Sequence, residues 1–330
     1  MAHETMRAAV VDAFGPPELI QLRHIPRPRP GRGELLVEVV AAGVNPVDAS
    51  NRLDGSWAGL SPPVVLGSDA SGIVVGVGDD VDEFAVGDAV FYFSDFLGTR
   101  LGSYAEYQAI LADIVAWKPK SVTFAEAAAL PLAAGTAYET VVRRLAVRSG
   151  ETLLIHGAAG GVGGYAVQLA ADLGARVLAV ARAEHAEYLA GLGAEATLDY
   201  TTADVSELVA RNHGLVDAVA DFVGGESIVS SLPIVAEGGR LATACALAGD
   251  LDVAVDRNLT IHGVLVRPDG TRLAALSELV SAGRLRPLIR RELPLDQAAD
   301  AHREVERGHG RGKIVLRVRP EPGTRAAERP

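Results

Sequence analysis

Residues 152–182 read TLLIHGAAGGVGGYAVQLAADLGARVLAVAR, and this stretch decides the fold. An apolar run (Leu153, Leu154, Ile155) meets a turn rich in glycine (Gly157, Gly160, Gly161, Gly163, Gly164). The pattern then becomes helical through Leu173, and a second apolar run covers 177–181. Strand, tight turn, helix and strand within about 30 residues make the unit that binds dinucleotides. In the G-x-G-x-x-G register, residues 158–163 read AAGGVG, with alanine at the first glycine position. Gly160 and Gly161 let the backbone approach a pyrophosphate, and Gly163 allows close helix–strand packing. The free N–H groups and positive helix end suit an anion, so Ala159, Gly160, Gly161 and Val162 are candidate cofactor contacts.

Strands and helices continue to alternate beyond this unit. Apolar runs at 218–222, 240–244 and 260–266 extend the series, which predicts a parallel, doubly wound sheet. The front of the chain differs. Short β-like runs at 8–11, 35–40, 72–77 and 89–93 are punctuated by Gly and Pro and predict a β-rich, partly antiparallel or barrel-like domain. Between the two, 123–142 has helical spacing broken near Pro131. Helical patterns at 273–282 and 298–307 precede a short strand at 313–318. The tail from Pro320 is rich in Pro, Arg and Glu and is expected to be disordered.

Composition excludes several classes. With 330 residues and 48% hydrophobic content, the chain can bury a core without disulfides or structural metals. A single cysteine, Cys245, forbids an intramolecular disulfide and any multi-cysteine zinc site. A net charge of −11 argues against nucleic acid or an anionic membrane as a partner. No apolar run reaches about 20 residues and no signal peptide is evident, so a soluble, cytoplasmic protein is expected.

Nine segments resemble the medium-chain dehydrogenase/reductase superfamily, in its zinc-free quinone oxidoreductase and enoyl reductase branch (zeta-crystallin-like). They are GELLVEVVAAGVNPVD (33–48), LGSDASGIVVGVG (66–78), VGDAVF (86–91), GSYAEY (102–107) and AAALPLAAGTAYE (127–139). GAAGGVG (157–163), LGAEATLDY (192–200), EGGRL (237–241) and RGKIVL (311–316) follow in the family's order. The resemblance implies a GroES-like catalytic domain built from both chain ends, 1–124 and 267–319, around a Rossmann NADP-binding domain at 125–266, with 320–330 as tail. It also implies a homodimer. Where zinc alcohol dehydrogenases of the superfamily have a Cys, this chain has Asn45, and their Gly-His-Glu is Gly67-Ser68-Asp69 here. No metal site is expected. Without a Lewis acid, an already electrophilic acceptor is the better hydride partner than an alcohol.

The cofactor is expected to be NADPH. The first polar residue after the second Rossmann strand is Arg182, a fork suited to phosphate, with His185 one helical step on. Tyr200 matches a tyrosine that resembling quinone reductases place beside the 2′-phosphate. Glu184 turned inward would oppose this. The resemblance adds Asn45 and Thr136 as cofactor contacts; Cys245, after the fifth strand-like run, and Val223, Arg311 and Lys313 are further candidates.

For the chemistry, Asn45 is the leading candidate, its amide a donor to an acceptor carbonyl or the nicotinamide; an Asn-Pro turn with Pro46 reads equally well. The tyrosine proton donor of some resembling enoyl reductases is absent, leaving water or a group such as Tyr92, Ser94 or Asp95. Phe91, Phe93 and Phe96 of FYFSDF, with Ser50 and Trp57, are the candidate substrate contacts. The expected activity is NADPH-dependent, zinc-independent reduction of a quinone or α,β-unsaturated carbonyl. Two alternatives stay open: an enoyl reductase dedicated to a biosynthetic, polyketide-type intermediate, and a non-catalytic NADP-binding structural or sensing protein.

Overall fold

The computed structural model describes residues 4–95, 97 and 101–322. The chain opens with β1 (Thr5–Val11), β2 (Ile20–Pro26), β3 (Glu34–Val44), α1 (Pro46–Asp54), β4 (Val64–Val65) and β5 (Asp69–Val77). Next come β6 (Ala89–Phe93), β7 (Tyr107–Leu111), β8 (Val115–Trp117), α2 (Phe124–Ala128) and α3 (Pro131–Tyr138). The alternating series is β9 (Thr152–His156), α4 (Gly163–Asp172), β10 (Arg176–Val180), α5 (Ala186–Ala190), β11 (Ala196–Leu198) and α6 (Val205–Asn212). It continues through β12 (Val216–Asp221), α7 (Ser227–Ser231), β13 (Val235–Thr243), α8 (Asp252–Asp256) and β14 (Thr260–Gly263). Last are α9 (Gly270–Ser281), β15 (Ile289–Pro294), α10 (Ala298–Arg307) and β16 (Lys313–Arg317).

Two compact units result. The first holds the chain up to Leu132, Arg267–His309 and the part from Lys313 onward; the second holds Ala133–Val266 with Gly310–Gly312. This corrects the expected boundary at 124/125. Phe124, Ala125, Ala128 and Ala129 of the α2 segment pack with Val40, Ala41 and Val315, which keeps α2 in the first unit. Gly43 makes the approach possible, because a Cβ there would lie 2.4 Å from the Ala128 carbonyl oxygen. Gly312 joins the second unit by donating its N–H to the Ala159 carbonyl at 3.1 Å.

In the first unit a seven-stranded sheet runs β15-β16-β3-β5-β6-β8, with β7 also paired to β3, and a three-stranded sheet runs β2-β1-β4. Strand β3, ELLVEVVAAGV, is buried along most of its length, as its near-continuous apolar run requires. The terminal strand β16 pairs antiparallel with β3, Ile314 opposite Val44 and Leu316 opposite Ala42. That pairing carries Lys313 to the end of β3, next to Asn45.

The second unit is a six-stranded parallel sheet in the order β11-β10-β9-β12-β13-β14. Leu154, Leu178, Val219 and Leu241 form part of its core. The strand order reverses between β9 and β12, and parallel strands put all their carboxyl ends on one edge. Ligands of open α/β sheets bind at that edge, beside such a reversal.

Candidate active site

Along this edge, β9 ends at His156 and Gly157 turns the chain with φ +69°. A Cβ on Gly163 would sit 2.2 Å from the Gly157 carbonyl oxygen, so α4 approaches as closely as backbone allows. The Gly160 N–H is spent on the Gly157 carbonyl at 3.0 Å, and Gly164 N–H on the Gly160 carbonyl at 3.0 Å. Among the described residues, the N–H groups of Gly161 and Val162 have no acceptor. They stand at the positive end of the ten-residue α4. Two free donors on a half-exposed turn fit phosphate oxygens.

Beyond β10, the exposed Arg182 donates from Nε to the Tyr200 hydroxyl at 3.2 Å. Asp199 accepts N–H bonds from Ala183 (2.9 Å) and Thr201 (2.8 Å) and the Thr201 hydroxyl at 2.7 Å. The Thr201 side chain leads in holding this carboxyl below the usual range. The Glu184 carboxylate is 64% exposed, 3.7 Å from the His185 ring. Asp199 is thus a second acidic group beside Arg182, and the sequence reading missed it.

At the ends of β12 and β13, buried Asp221 accepts N–H bonds from Val223 (3.0 Å) and Gly224 (3.1 Å) and hydroxyl bonds from Ser227 and Thr243, each 2.7 Å. Thr243 Oγ1 in turn accepts the Cys245 N–H at 3.1 Å. One buried carboxylate therefore fixes both Val223 and Cys245, which are exposed on the same edge. Arg311 lies over the Tyr188 ring at 5.4 Å. Thr136 is buried in α3, its carbonyl taking the Thr140 hydroxyl at 2.8 Å. His156 is a core residue bonded to Ser231 Oγ at 2.8 Å, and burial pulls its pKa down.

In the first unit, Asn45 caps α1 and lies in a buried polar knot. Its N–H donates to Asp48 Oδ2 at 2.9 Å, and its amide Nδ2 donates to Asp69 Oδ2 at 3.0 Å. The Lys313 ammonium donates to the Val44 carbonyl at 2.8 Å and to Asn45 Oδ1, and lies 3.6 Å from Asp69 Oδ2. The other Asp69 oxygen accepts the Leu132 N–H at 2.8 Å. Asp48 also receives the Ser68 hydroxyl (2.9 Å) and the Tyr104 hydroxyl (3.2 Å). Gly67 turns with φ +100°, where a Cβ would be 2.3 Å from the Tyr104 ring. Burial, helped by the Asp69 charge, pushes Asp48 up to about 6. Burial likewise raises Asp69 and lowers Lys313, while their mutual attraction opposes both shifts. A cavity of about 20 Å³, room for a single water, lies beside the knot and is lined by Asp48, Leu66, Gly67, Ser68 and Asp95 among others.

Several expectations need correction. Phe91, Tyr92 and Phe93 are 0%, 0% and 1% exposed although successive side chains point to opposite faces, so both faces of β6 are covered. They are core residues. The Tyr92 hydroxyl is committed to Gln108 Oε1 at 2.9 Å and burial raises its pKa, so it is no proton donor to a substrate. Lys313 is 4% exposed with its ammonium turned to Val44, Asn45 and Asp69, which makes it an anchor and not a cofactor contact. Asp95 takes the Leu97 N–H at 3.0 Å and lies 3.7 Å from Arg267. Exposed Ser50 donates to the Pro46 carbonyl at 3.2 Å, and Trp57 is 55% exposed. Phe96 lies outside the described residues. The partnership of Asp69 with Lys313 was missed; its only signal was a charge inside each of two apolar runs.

Residues 31–120 match the family described as Alcohol dehydrogenase GroES-like domain, and 192–316 match Zinc-binding dehydrogenase. The chain is 33% identical to an NADPH-dependent alkenal/one oxidoreductase, chloroplastic, of Arabidopsis thaliana, over 94% of this chain and 79% of that protein. It is 31% identical to a quinone oxidoreductase of Mus musculus, over 94% and 97%. The solved quinone oxidoreductase of Coxiella burnetii superposes with a TM-score of 0.86 at 33% identity, covering 96% of this chain and all of that one. Among the described residues, no group of three or more His, Cys, Asp or Glu converges to hold a metal ion. No helix there is long and apolar enough to cross a membrane.

Proposed function

Because the chain belongs to the quinone oxidoreductase type of the medium-chain dehydrogenase/reductase superfamily, we propose that it passes hydride from NADPH to a quinone or α,β-unsaturated carbonyl without zinc. The observation that carries this reading is the donor set at Asn45, Ser68 and Asp69. Asn45 and Asp69 bond to each other and face the Lys313 ammonium, which already supplies the positive charge a metal would bring, and Ser68 donates to Asp48. That set does not fit zinc. A Lewis acid is also unnecessary for an acceptor that is already electron-poor.

NADPH supplies the hydride. Gly161 and Val162 offer N–H donors to its pyrophosphate, and Arg182, Tyr200 and His185 form the 2′-phosphate site. Val223 and Cys245 wall the same edge, and Thr136 and Arg311 remain proposed contacts. On the substrate side, Asn45 donates from its amide to the oxygen that gains negative charge, in a water-poor setting where such a bond counts most. Asp95 and water are the proton sources left, since the Tyr92 hydroxyl is committed to Gln108 and the buried Ser94 hydroxyl to the Ser68 carbonyl. Ser50 and Trp57 remain proposed substrate contacts.

The test is NADPH oxidation against ortho- and para-quinones, enals, enones and enoyl thioesters. Turnover of quinones or enones supports the reading. A preference of about tenfold or more for an enoyl thioester turns it toward a dedicated enoyl reductase, and no turnover with any acceptor removes it in favour of a cofactor-binding module.

The same reading includes a homodimer and a cytoplasmic location. For the first, β14 is an edge strand with exposed Val255 and Leu265 close by in the chain, a surface a second copy would cover. For the second, the one cysteine is free and exposed, which suits a reducing compartment. Light scattering after size exclusion and cell fractionation test the two.

A further inference from the structure

We propose that Lys313 is a positioning residue that sets which way the Asn45 amide faces; the proposal rests on the reductase reading above. An asparagine amide has one accepting and one donating end, and nothing intrinsic fixes their order. Here both ends meet charged partners of opposite kind. Oδ1 faces the Lys313 ammonium, which only donates, and Nδ2 faces the Asp69 carboxylate at 3.0 Å, which only accepts. Rotating the amide by half a turn would set NH₂ against ammonium and oxygen against carboxylate. Asn45 and Lys313 are 3% and 4% exposed and Asp69 is fully buried, so water is poorly placed to relieve either clash.

Lys313 is itself held. Its ammonium donates to the Val44 carbonyl at 2.8 Å, and Asp69 is pinned from its other oxygen by the Leu132 N–H at 2.8 Å. The charged groups facing this ring are Asp69 and, through Ser68 and the Asn45 N–H, Asp48. Asn45 Nδ2 carries a second hydrogen, for which no acceptor exists among the described residues. That hydrogen is the one offered to the acceptor oxygen. Lys313 thus gives Asn45 a donor where a free Asn-Pro turn would present either end.

The experiment compares wild type, K313M, N45A and the double variant for kcat with a quinone acceptor and for NADPH Kd by fluorescence. K313M is expected to lower kcat about tenfold or more, to leave NADPH Kd within about twofold, and to add nothing to N45A. Unchanged kcat in K313M, a raised NADPH Kd at constant kcat, or an undiminished effect in the N45A background would overturn it. A turning-over wild type with an unaffected K313M refutes the positioning role alone. For the cases in which wild type lacks turnover or K313M does not fold, the wild-type Asn45 side-chain amide is followed by NMR, its signals identified by their loss in N45A. Amide protons protected from exchange with solvent deuterium are expected; exchange as fast as that of an exposed asparagine would contradict a locked amide.

Discussion

The glycine turn of the second unit and the polar knot of the first do their work by opposite means. At the turn, missing side chains matter: a Cβ on Gly163 would strike a carbonyl oxygen at 2.2 Å, and the free N–H groups need room. At the knot, added charge matters: Asp69, Lys313 and Asp48 are all buried and are tolerable only because they satisfy one another. Backbone geometry is a local property, so the turn is complete within seven residues. Charge compensation is not, and the knot draws on residues 24 and 268 positions from Asn45. A site built the first way should yield to bulk, and one built the second way to loss of a partner.

The largest effect is expected at the knot. Asp69→Ala leaves the Lys313 ammonium buried without its counter-charge and should cost about 3–5 kcal/mol in denaturant unfolding. A loss under about 1 kcal/mol would mean that the pair is incidental. At the turn, Gly163→Val should cost about 2–3 kcal/mol through overpacking and abolish NADPH binding by titration. Cofactor affinity at the wild-type level would break the contrast from the other side.

A third prediction uses pH. His302, on α10, is fully buried, stacks edge-on against Tyr104 at 5.7 Å, and has no partner for either ring nitrogen among the described residues. Burial, with the nearby Arg52, pulls its pKa from 6.5 down to about 3. The unfolded chain therefore takes up this proton first, and the stability due to neutral His302, present above pH 6.5, is lost as pH falls toward 3. At pH 5 that loss is about 2 kcal/mol relative to neutral pH. Asp48 runs the other way: pushed up to about 6, it binds a proton more readily folded than unfolded and stabilises as pH falls between about 6 and 4. The comparison is therefore with His302→Leu, which should be less acid-sensitive; equal slopes would exclude the buried imidazole as the cause. The smallest effect concerns Arg182→Ala, which should lower preference for NADPH over NADH by about tenfold in kcat/KM ratios.

These differences explain what was legible in the sequence. The strand–turn–helix of 152–182 was, because periodicity and glycine spacing are written in consecutive residues. The last strand was legible too, in its short apolar run, while its return to the first unit was an implication of the family resemblance. The role of Phe91, Tyr92 and Phe93 was not, since aromatic residues on a strand look alike whether they wall a substrate or fill a core. Only the covering of both faces of β6 by the rest of the fold decides it. Lys313 was similarly opaque: its place at the end of β3 depends on register between strands from opposite ends of the chain. Asp199 hid in an ordinary strand end, and only its bonds to Ala183 and Thr201 mark it.

Zinc-free hydride transfer is tested most directly by giving chelator-treated protein an enone and NADPH deuterated on the transferring nicotinamide carbon. Mass spectrometry of the product should find one deuterium at the β-carbon, formed as fast as by untreated protein. Loss of the reaction on chelation, or a product without the label, would contradict it.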